Sequence, residues 1–432
     1  MGWQHVWDGM RKVKKKIRGN PLIDLLFVMK GNPRILIFLE PLWGIPNTLI
    51  LPFTTVYMRA FGITNIQIGL AISLSMVVQV FCAFFGGIVT DKFGRKFTTI
   101  VGDLIGWVIP CVIWAFAREY WHFLLAMLLN SFEQVNQTAW VCLLVEDAKD
   151  KDILNLWNWV SIAALLAVFF SPLSGLLIHF FSLVPVMRTL YFIYGISMLL
   201  KCVVTQLKTG ETKQGVKRRK ETKNEPLSGI IKGYKRVIPQ MVQSDGTMRV
   251  LAIMTVLNSI TMIQNNFYSL YVTGGLGIPD SYLAYFPIIR GIIMLIFFFF
   301  IQVYLGRFRL KIPMACGLIL YMIAQLLIIV SPPNKVITIL LYTLFEAVAN
   351  AIVFPRKDLM STVFIDKKER ARITALLATS MLALTAPLGA IVGALSKIDG
   401  RAPFVVSLVL FVFALFVILT MKQNPGSPAE EG

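Results

Sequence analysis

Two glutamates, Glu133 and Glu346, interrupt long apolar stretches and are the side chains best suited to chemistry. Each is predicted to lie midway along a membrane helix, within the matching segments Phe132-Glu133-Gln134-Val135 and Phe345-Glu346-Ala347-Val348. A charge inside a bilayer costs at least a few kcal/mol, and desolvation favours the neutral form of a carboxyl. The two glutamates are therefore predicted to take up and release protons.

Amide side chains accompany both glutamates on the same helix faces. Asn136 and Gln137 follow Glu133 at helical spacing, and Asn350 lies one turn after Glu346. Four further polar residues complete the candidate site, namely Glu40 and Asn47 in the first predicted span and Asn258 and Asn265 in the seventh. Intramembrane amides either bind a substrate or hold helices together by hydrogen bonds. Their concentration on the first, fourth, seventh and tenth spans favours substrate binding.

Arg290 is the single cation predicted to lie deep in the membrane. A buried guanidinium without an anionic neighbour would be very costly, so we expect it to pair with Glu133 or Glu346. The alternative interpretation is a permanent ion pair that locks two helices together. Glu40 and Asp103 lie only about two turns from the ends of their helices and are expected to be hydrated, which ranks them second.

Membrane helices must position these residues. Of 432 residues, 56% are hydrophobic, and the mean hydropathy of +0.70 indicates more apolar surface than a soluble domain buries. A bilayer core of about 30 Å takes about 20 apolar residues per helix, which predicts an all-α membrane protein with about 12 spans. The predicted spans are 34–58, 66–89, 98–117, 120–145, 155–180, 186–206, 249–272, 281–305, 312–331, 336–358, 373–397 and 402–421.

The two sets of six spans repeat each other in sequence. Besides the glutamate segments, Ser171-Pro172-Leu173-Ser174-Gly175 corresponds to Ala386-Pro387-Leu388-Gly389-Ala390 at nearly the same offset, which predicts duplicated, pseudo-symmetric halves. The predicted organisation is an amphipathic N-terminal segment (1–33), a six-helix bundle (34–206), a cytoplasmic linker (207–248), a second six-helix bundle (249–421) and a tail (422–432). Within the linker, residues 208–225 are predicted to be flexible and residues 227–242 to form a surface helix.

The net charge of +19 is concentrated at one end of the predicted helices. By the positive-inside rule that end is cytoplasmic, as are both termini. The absence of basic segments interleaved with stacking aromatic residues argues against nucleic-acid binding. The five cysteines lie in apolar runs, and neither they nor the three histidines have the spacing of a disulfide framework or a metal site.

The junction between the second and third spans reads Gly87-Ile88-Val89-Thr90-Asp91-Lys92-Phe93-Gly94-Arg95-Lys96. In it, Gly94 permits a tight turn, and Asp91 can cap a helix and pair with Arg95. The segment resembles the loop signature of the major facilitator superfamily. That resemblance implies two halves that rock about a central site, and it implies a latch on the cytoplasmic side formed by Gly87, Asp91, Gly94 and Arg95. The equivalent loop of the second half, 306–311, lacks the aspartate, which argues against a latch there.

The leading hypothesis is a secondary active transporter of the cytoplasmic membrane, a monomer that binds a small molecule, protons and membrane lipids and has no cofactor. No glycine loop of the ATP-binding kind supports another energy source. Acidic groups among Met and Phe residues favour export of lipophilic compounds by a proton antiporter, whereas the amides and Arg290 suit uptake of a sugar-like or acidic solute. A membrane enzyme, lipid-handling protein or sensor is the alternative class, disfavoured because no nucleophile and base stand out.

Overall fold

The computed structural model describes residues 25, 29–63, 65–224, 237–278 and 285–421. In those ranges the regular structure is helical and contains no strand, which confirms the predicted all-α membrane fold. The expected C-terminal tail lies outside the described residues, as does nearly all of the amphipathic segment 1–33. Of the predicted surface helix at 227–242, only its last part is described, and residues 237–243 are helical.

Helices occur at all twelve predicted spans within the described ranges. They are α1 (Asn32–Arg59), α2 (Asn65–Phe93), α3 (Arg95–Phe116), α4 (Tyr120–Asn130 and Glu133–Val145), α5 (Ile153–Val168 and Ser171–Phe181), α6 (Leu183–Lys208), α7 (Asp245–Leu270), α8 (Tyr285–Ile301), α9 (Lys311–Ile329), α10 (Val336–Val363), α11 (Arg370–Ile398) and α12 (Ala402–Leu419). Ten of them are long and apolar enough to cross a membrane by length and composition. The other two are α4, which is interrupted, and α8, whose apolar stretch is shorter.

Helix α1 contains a proline whose effect is compensated by a neighbouring helix. Pro46 has no N–H to donate to the carbonyl of Leu42, one turn earlier. Ser197 of α6 donates its hydroxyl to that oxygen at 2.6 Å. The neighbouring helix thus supplies the partner that a backbone carbonyl inside a membrane needs.

Helix α3 widens into a π turn, Leu104–Val108, directly after Asp103. Such a turn holds one residue more than a regular helical turn. Asn130 of α4 donates from Nδ2 to the carbonyl oxygen of Gly106 within this turn, at 2.7 Å. The neighbouring helix therefore stabilises the irregular backbone.

Helices α3 and α4 approach each other closely at two glycines. A Cβ added to Gly102 would lie 2.7 Å from the Cβ of Asn136, and one added to Gly106 would lie 3.0 Å from the backbone nitrogen of Glu133. Small residues spaced by four allow membrane helices to pack at short range. The glycines thus hold the segment that carries Glu133 and Asn136 against α3.

Part of the linker is an ordered helix, and the expectation of a flexible chain there was wrong. The linker helix, Lys213–Thr222, begins after Thr212, whose side-chain oxygen accepts a hydrogen bond from the Gly215 N–H at 2.9 Å. Gly215, Arg218 and Thr222 are its buried residues. Composition predicted disorder because so few residues are apolar, whereas the helix is anchored by a few polar contacts that composition does not reveal.

Replacing Gly106 by leucine should force α3 and α4 apart. Overpacking a close contact costs about 1–3 kcal/mol, so we expect the thermal unfolding midpoint of the purified protein in detergent to fall by several degrees. Gly393→Leu in α11 is the matched control, because a Cβ there meets nothing within 4 Å. Equal midpoints for the two variants would contradict the close contact between α3 and α4.

Candidate functional site

Helix α4 is interrupted at Ser131 and Phe132, and Glu133 begins its second segment. The Ser131 N–H bonds to the carbonyls of Met127 and Leu128, at 3.3 Å and 3.2 Å. Glu133 was expected midway along a continuous helix. It lies instead at the amino-terminal end of a helical segment, where the helix dipole favours negative charge.

A buried lysine joins carboxylates from two other helices. Lys201 Nζ of α6 lies 3.7 Å from Glu40 Oε1 and 3.6 Å from Asp103 Oδ2. Asn136 Nδ2 donates to Asp103 Oδ1 at 2.6 Å. Together with Glu133, which lines the same cavity of about 70 Å³, we call these residues the first cluster.

The first cluster changes two expectations. Glu40 and Asp103 were predicted to be hydrated, but their side chains are only 13% and 2% exposed and both pair with Lys201. Arg290 was predicted to be the single cation at depth, but Lys201 is also buried, with 4% of its surface exposed. The sequence missed Lys201 because it lies near the basic end of α6, and the available signal was that two neighbouring acids need a cation.

The first cluster holds more carboxyls than cations. Glu40 and Asp103 share Lys201, while the Glu133 carboxyl has no hydrogen-bond or ion-pair partner among the described residues. Asn136 and Gln137 line the same cavity. With all its groups ionised the cluster would carry excess negative charge, which burial disfavours.

A second cluster lies in the other half of the chain. Of the two candidate partners, the structure pairs Arg290 with Glu346, at 2.9 Å between Nη1 and Oε1, and Asn350 Nδ2 donates to the same oxygen at 2.5 Å. We call these three residues the second cluster. The Glu346 side chain is 2% exposed and that of Arg290 is 42% exposed. Both border a cavity of about 190 Å³, and Gln264, Asn265, Tyr268 and Tyr342 also line it.

A larger cavity of about 490 Å³, the central cavity, lies between the two halves. Of the predicted site residues, Glu40, Gln137 and Asn258 line it. Asn258 Nδ2 also donates to Thr385 Oγ1 of α11 at 3.2 Å, so it joins two helices at the cavity wall. Asn47 is half-buried in α1 and lines none of these three cavities.

The central cavity also contains residues that the sequence did not single out. They include Trp43, Trp140, Trp157, Met254, Met381, Lys357 and Asp358. Aromatic and thioether side chains are abundant throughout apolar helices, so residue type alone does not separate those that line a cavity from those that face lipid.

The loop between α2 and α3 holds a buried ion-pair network at the basic end of the helices. Arg95 contacts Asp91 Oδ1 at 3.3 Å and Glu146 Oε2 at 3.0 Å, and Arg372 Nε of α11 lies 3.0 Å from Asp91 Oδ2. The side chains of Asp91 and Arg95 are almost fully buried. Asp91 therefore ties the first half of the chain to the second.

The same loop is shaped by its glycines and by the linker. Gly94 has a φ of 93°, a conformation that favours glycine, and Gly87 is buried in α2. Glu211 accepts hydrogen bonds from the backbone N–H groups of Arg95 and Lys96, at 3.0 Å and 3.2 Å. It thereby satisfies amides that the start of α3 would otherwise leave unpaired.

The linker helix also joins the two halves. Arg218 forms an ion pair with Glu369 and donates from Nη2 to the carbonyl of Lys368 at 2.7 Å. Thr222 donates its hydroxyl to the backbone oxygen of Asp91 at 3.2 Å. The basic end is thus closed by contacts from α2, α11 and the linker helix.

Replacing Lys201 by methionine would leave Glu40 and Asp103 buried without their cation. Removing one partner of a buried pair costs about 3–5 kcal/mol, so we expect a lower thermal unfolding midpoint at pH 8. The loss should shrink towards pH 5, because the carboxyls then bind protons and become neutral. Lys208→Met, at the exposed end of the same helix, is the control. A loss that is independent of pH would contradict the pairing.

Breaking the ion pair between α2 and α11 should open the basic end. In an Arg372→Gln variant we expect a cysteine at Ser361, which lines the central cavity, to react several-fold faster with an impermeant maleimide added from the basic side. The background carries Cys316→Ser, since Cys316 is exposed. Lys367→Gln is the matched control, because its pair with Asp150 also joins the halves but is 67% and 68% exposed and contributes little. Equal labelling rates of the cysteine in the Arg372→Gln variant, the Lys367→Gln variant and the protein without either change would argue against the latch.

Sequence comparison identifies relatives of this chain. The profile of the Major Facilitator Superfamily matches residues 42–355. A Bacillus subtilis (strain 168) protein described as "Uncharacterized MFS-type transporter YqjV" is 31% identical over 164 residues, covering 36% of this chain. The match spans 39% of that relative's length.

Solved structures share the fold. The E. coli fucose:proton symporter FucP, as a variant, superposes with a TM-score of 0.73 at 15% identity and covers 91% of this chain and 98% of its own. The proton:xylose symporter XylE gives 0.70 at 12% identity, with 92% and 97% covered. The human organic anion transporter MFSD10 (TETRAN) gives 0.69 at 14% identity, with 90% and 98% covered. Because the family profile matches well over half of the sequence, the chain belongs to the major facilitator superfamily.

Proposed function

We propose that this chain is a secondary active transporter that moves a small molecule across the cytoplasmic membrane by alternating access. The observation that carries the proposal is the central cavity of about 490 Å³, which both halves line. Small-molecule sites usually measure about 300–1,000 Å³. The basic end of this cavity is closed by ion pairs between the halves, such as that of Asp91 with Arg372. A site between two halves, closed at one end by breakable contacts, suits alternating access.

We assign the basic end to the cytoplasm, because Lys and Arg concentrate in the loops there. Both termini then lie in the cytoplasm, and the ion pairs at the basic end close the cavity on the cytoplasmic side. A monomer suffices, since one chain supplies both walls of the cavity. An enzyme, lipid handler or sensor on this scaffold is the less favoured class, because Glu133 and Glu346 lie inside the helix bundle rather than at a membrane surface.

Proton coupling is assigned to Glu133 and Glu346, with a proton gradient as the energy source and no cofactor. In the first cluster, a proton on Glu133 reduces the excess of carboxylates over Lys201 from two to one. In the second cluster, a proton on Glu346 removes the charge that holds Arg290. Glu133 lies on α4 and Glu346 lies on α10. Both helices also line the central cavity, so protonation changes the electrostatics of its two walls.

Export of lipophilic, cationic compounds is the favoured direction and substrate class. Trp43, Trp140 and Trp157 present aromatic rings to the central cavity, and such rings attract cations. Met254 and Met381 supply flexible apolar contacts that adapt to different shapes. Exchange of such a cation for protons is compatible with a cavity that borders the first cluster.

Uptake of a sugar-like or acidic solute is the second candidate. Its support is the cavity of about 190 Å³ in the second half, where the partly exposed Arg290 lies with Gln264 and Asn265. Guanidinium and amide groups bind carboxylates and hydroxyls. FucP and XylE, which share the fold, are described as symporters of protons with fucose and with xylose.

Proteoliposomes with an imposed pH gradient test the coupling, with ethidium as the lipophilic cation and L-fucose as the sugar. Glu133→Gln and Glu346→Gln should each abolish accumulation driven by the gradient but retain substrate exchange at equal pH, because glutamine keeps the shape and carries no exchangeable carboxyl proton. Glu119→Gln, at the exposed start of α4, is the control. Unchanged proton-driven transport in both glutamate variants would refute the assignment.

The direction of proton movement separates the two substrate classes. Proton release from the liposomes on adding ethidium would support export by exchange. Proton uptake on adding L-fucose would instead support symport. A pH-sensitive dye trapped inside the liposomes reports both.

A further inference from the structure

The linker helix has an exposed cationic face that borders the ends of α2 and α3. Val216, Arg219, Lys220 and Lys223 follow one another at the spacing of a single helix face and are all exposed. The neighbouring face, with Arg218, is the one that packs on the membrane helices. The helix therefore has two different faces. The inner face, with Arg218, is bound to the protein, and the outer face, with Arg219, Lys220 and Lys223, is rich in positive charge.

A cavity of about 610 Å³ lies between this cationic face and the ends of α2 and α3. Lys92, Phe93 and Phe97 line it on the membrane-helix side. The two phenylalanine rings lie 6.0 Å apart and are 45% and 54% exposed. Phe93 is the last residue of α2, and Phe97 lies in the first turn of α3, so both rings are at the basic end of the membrane helices.

The charge of this cavity is strongly positive. Among the described residues that line it, Glu211 is the one that is acidic. Its two carboxylate oxygens are taken by the backbone N–H groups of Arg95 and Lys96. Arg219, Lys220 and Lys223 form no ion pair with any described residue, so their charge is available to an anion.

We propose that this cavity binds the headgroup of an anionic phospholipid in the leaflet at the basic end. The phosphate lies against Arg219, Lys220 and Lys223, and the glycerol and upper acyl chains lie against Phe93 and Phe97. A lipid fits better than a soluble anion because cationic and apolar walls meet in one cavity at the ends of two membrane helices. The site does not depend on the proposed transport activity.

Lipid binding at this site bears on the closed basic end. The same helix carries Arg218, which pairs with Glu369 of the second half, and Thr222, which bonds to the Asp91 carbonyl. A headgroup that holds the outer face of the linker helix also holds these inner contacts in place. The bound lipid therefore stabilises the conformation in which the two halves are joined at the basic end.

The experiment compares the full-length protein in detergent with short-chain phosphatidylglycerol, short-chain phosphatidylcholine and inorganic phosphate, by thermal shift and native mass spectrometry. We expect phosphatidylglycerol to stabilise the protein and remain bound. Arg219→Gln/Lys220→Gln should weaken its binding by roughly tenfold or more. The matched control is Lys213→Gln/Lys217→Gln, which removes two charges from exposed positions of the same helix that do not line the cavity.

Three results would overturn the proposal. Equal weakening by the control variant would show that binding is non-specific attraction to a basic surface. An equal effect of phosphatidylcholine would exclude recognition of the negative charge, and an equal effect of inorganic phosphate would identify a soluble anion as the ligand. Phe97→Ser, which leaves every charge in place, gives an independent check, since it should weaken phosphatidylglycerol binding without changing binding of phosphate.

Discussion

The closed basic end depends on the ion pairs of the buried Asp91 carboxylate. It contacts Arg95 at the start of α3 and Arg372 of α11, and its backbone oxygen accepts a bond from Thr222 of the linker helix. Burial makes such an arrangement cooperative, because removing one partner leaves a charge that water cannot reach. The end is therefore stable when fully assembled or fully separated, which suits the rocking of two rigid halves.

Much of the fold was predictable because membrane helices are specified by length and apolarity. The association of Arg290 with a glutamate was also predictable, since a rare cation in an apolar helix needs an anion. Lys201 was not, because a lysine near the basic end of α6 has the sequence signature of an interface residue. The interruption before Glu133, where Ser131 donates its hydroxyl to the Ser75 carbonyl of α2, and the anchoring of the linker helix through Arg218 involve tertiary contacts that spacing does not encode.

The repeated glutamates have different environments despite their matching sequence positions. Glu346 lies within a continuous helix and is bonded by Arg290 and Asn350. Glu133 begins a helical segment and shares a cavity with two carboxyls and Lys201. The two halves carry matching sequence segments but differ in the charges around their glutamates, so they are not interchangeable in any step that involves charge.

The π turn of α3 determines how the side chains at one end of that helix are rotated about its axis relative to those at the other end. Its one extra residue rotates everything beyond Val108 by about 100° relative to an uninterrupted helix. Asp103 precedes the turn, and Trp114, which stacks on Tyr191 at 5.0 Å, follows it. The number of residues here therefore matters as much as their identity: loss of one residue from the turn would rotate the ion-pairing end of α3 against its aromatic end while keeping every side chain of the site.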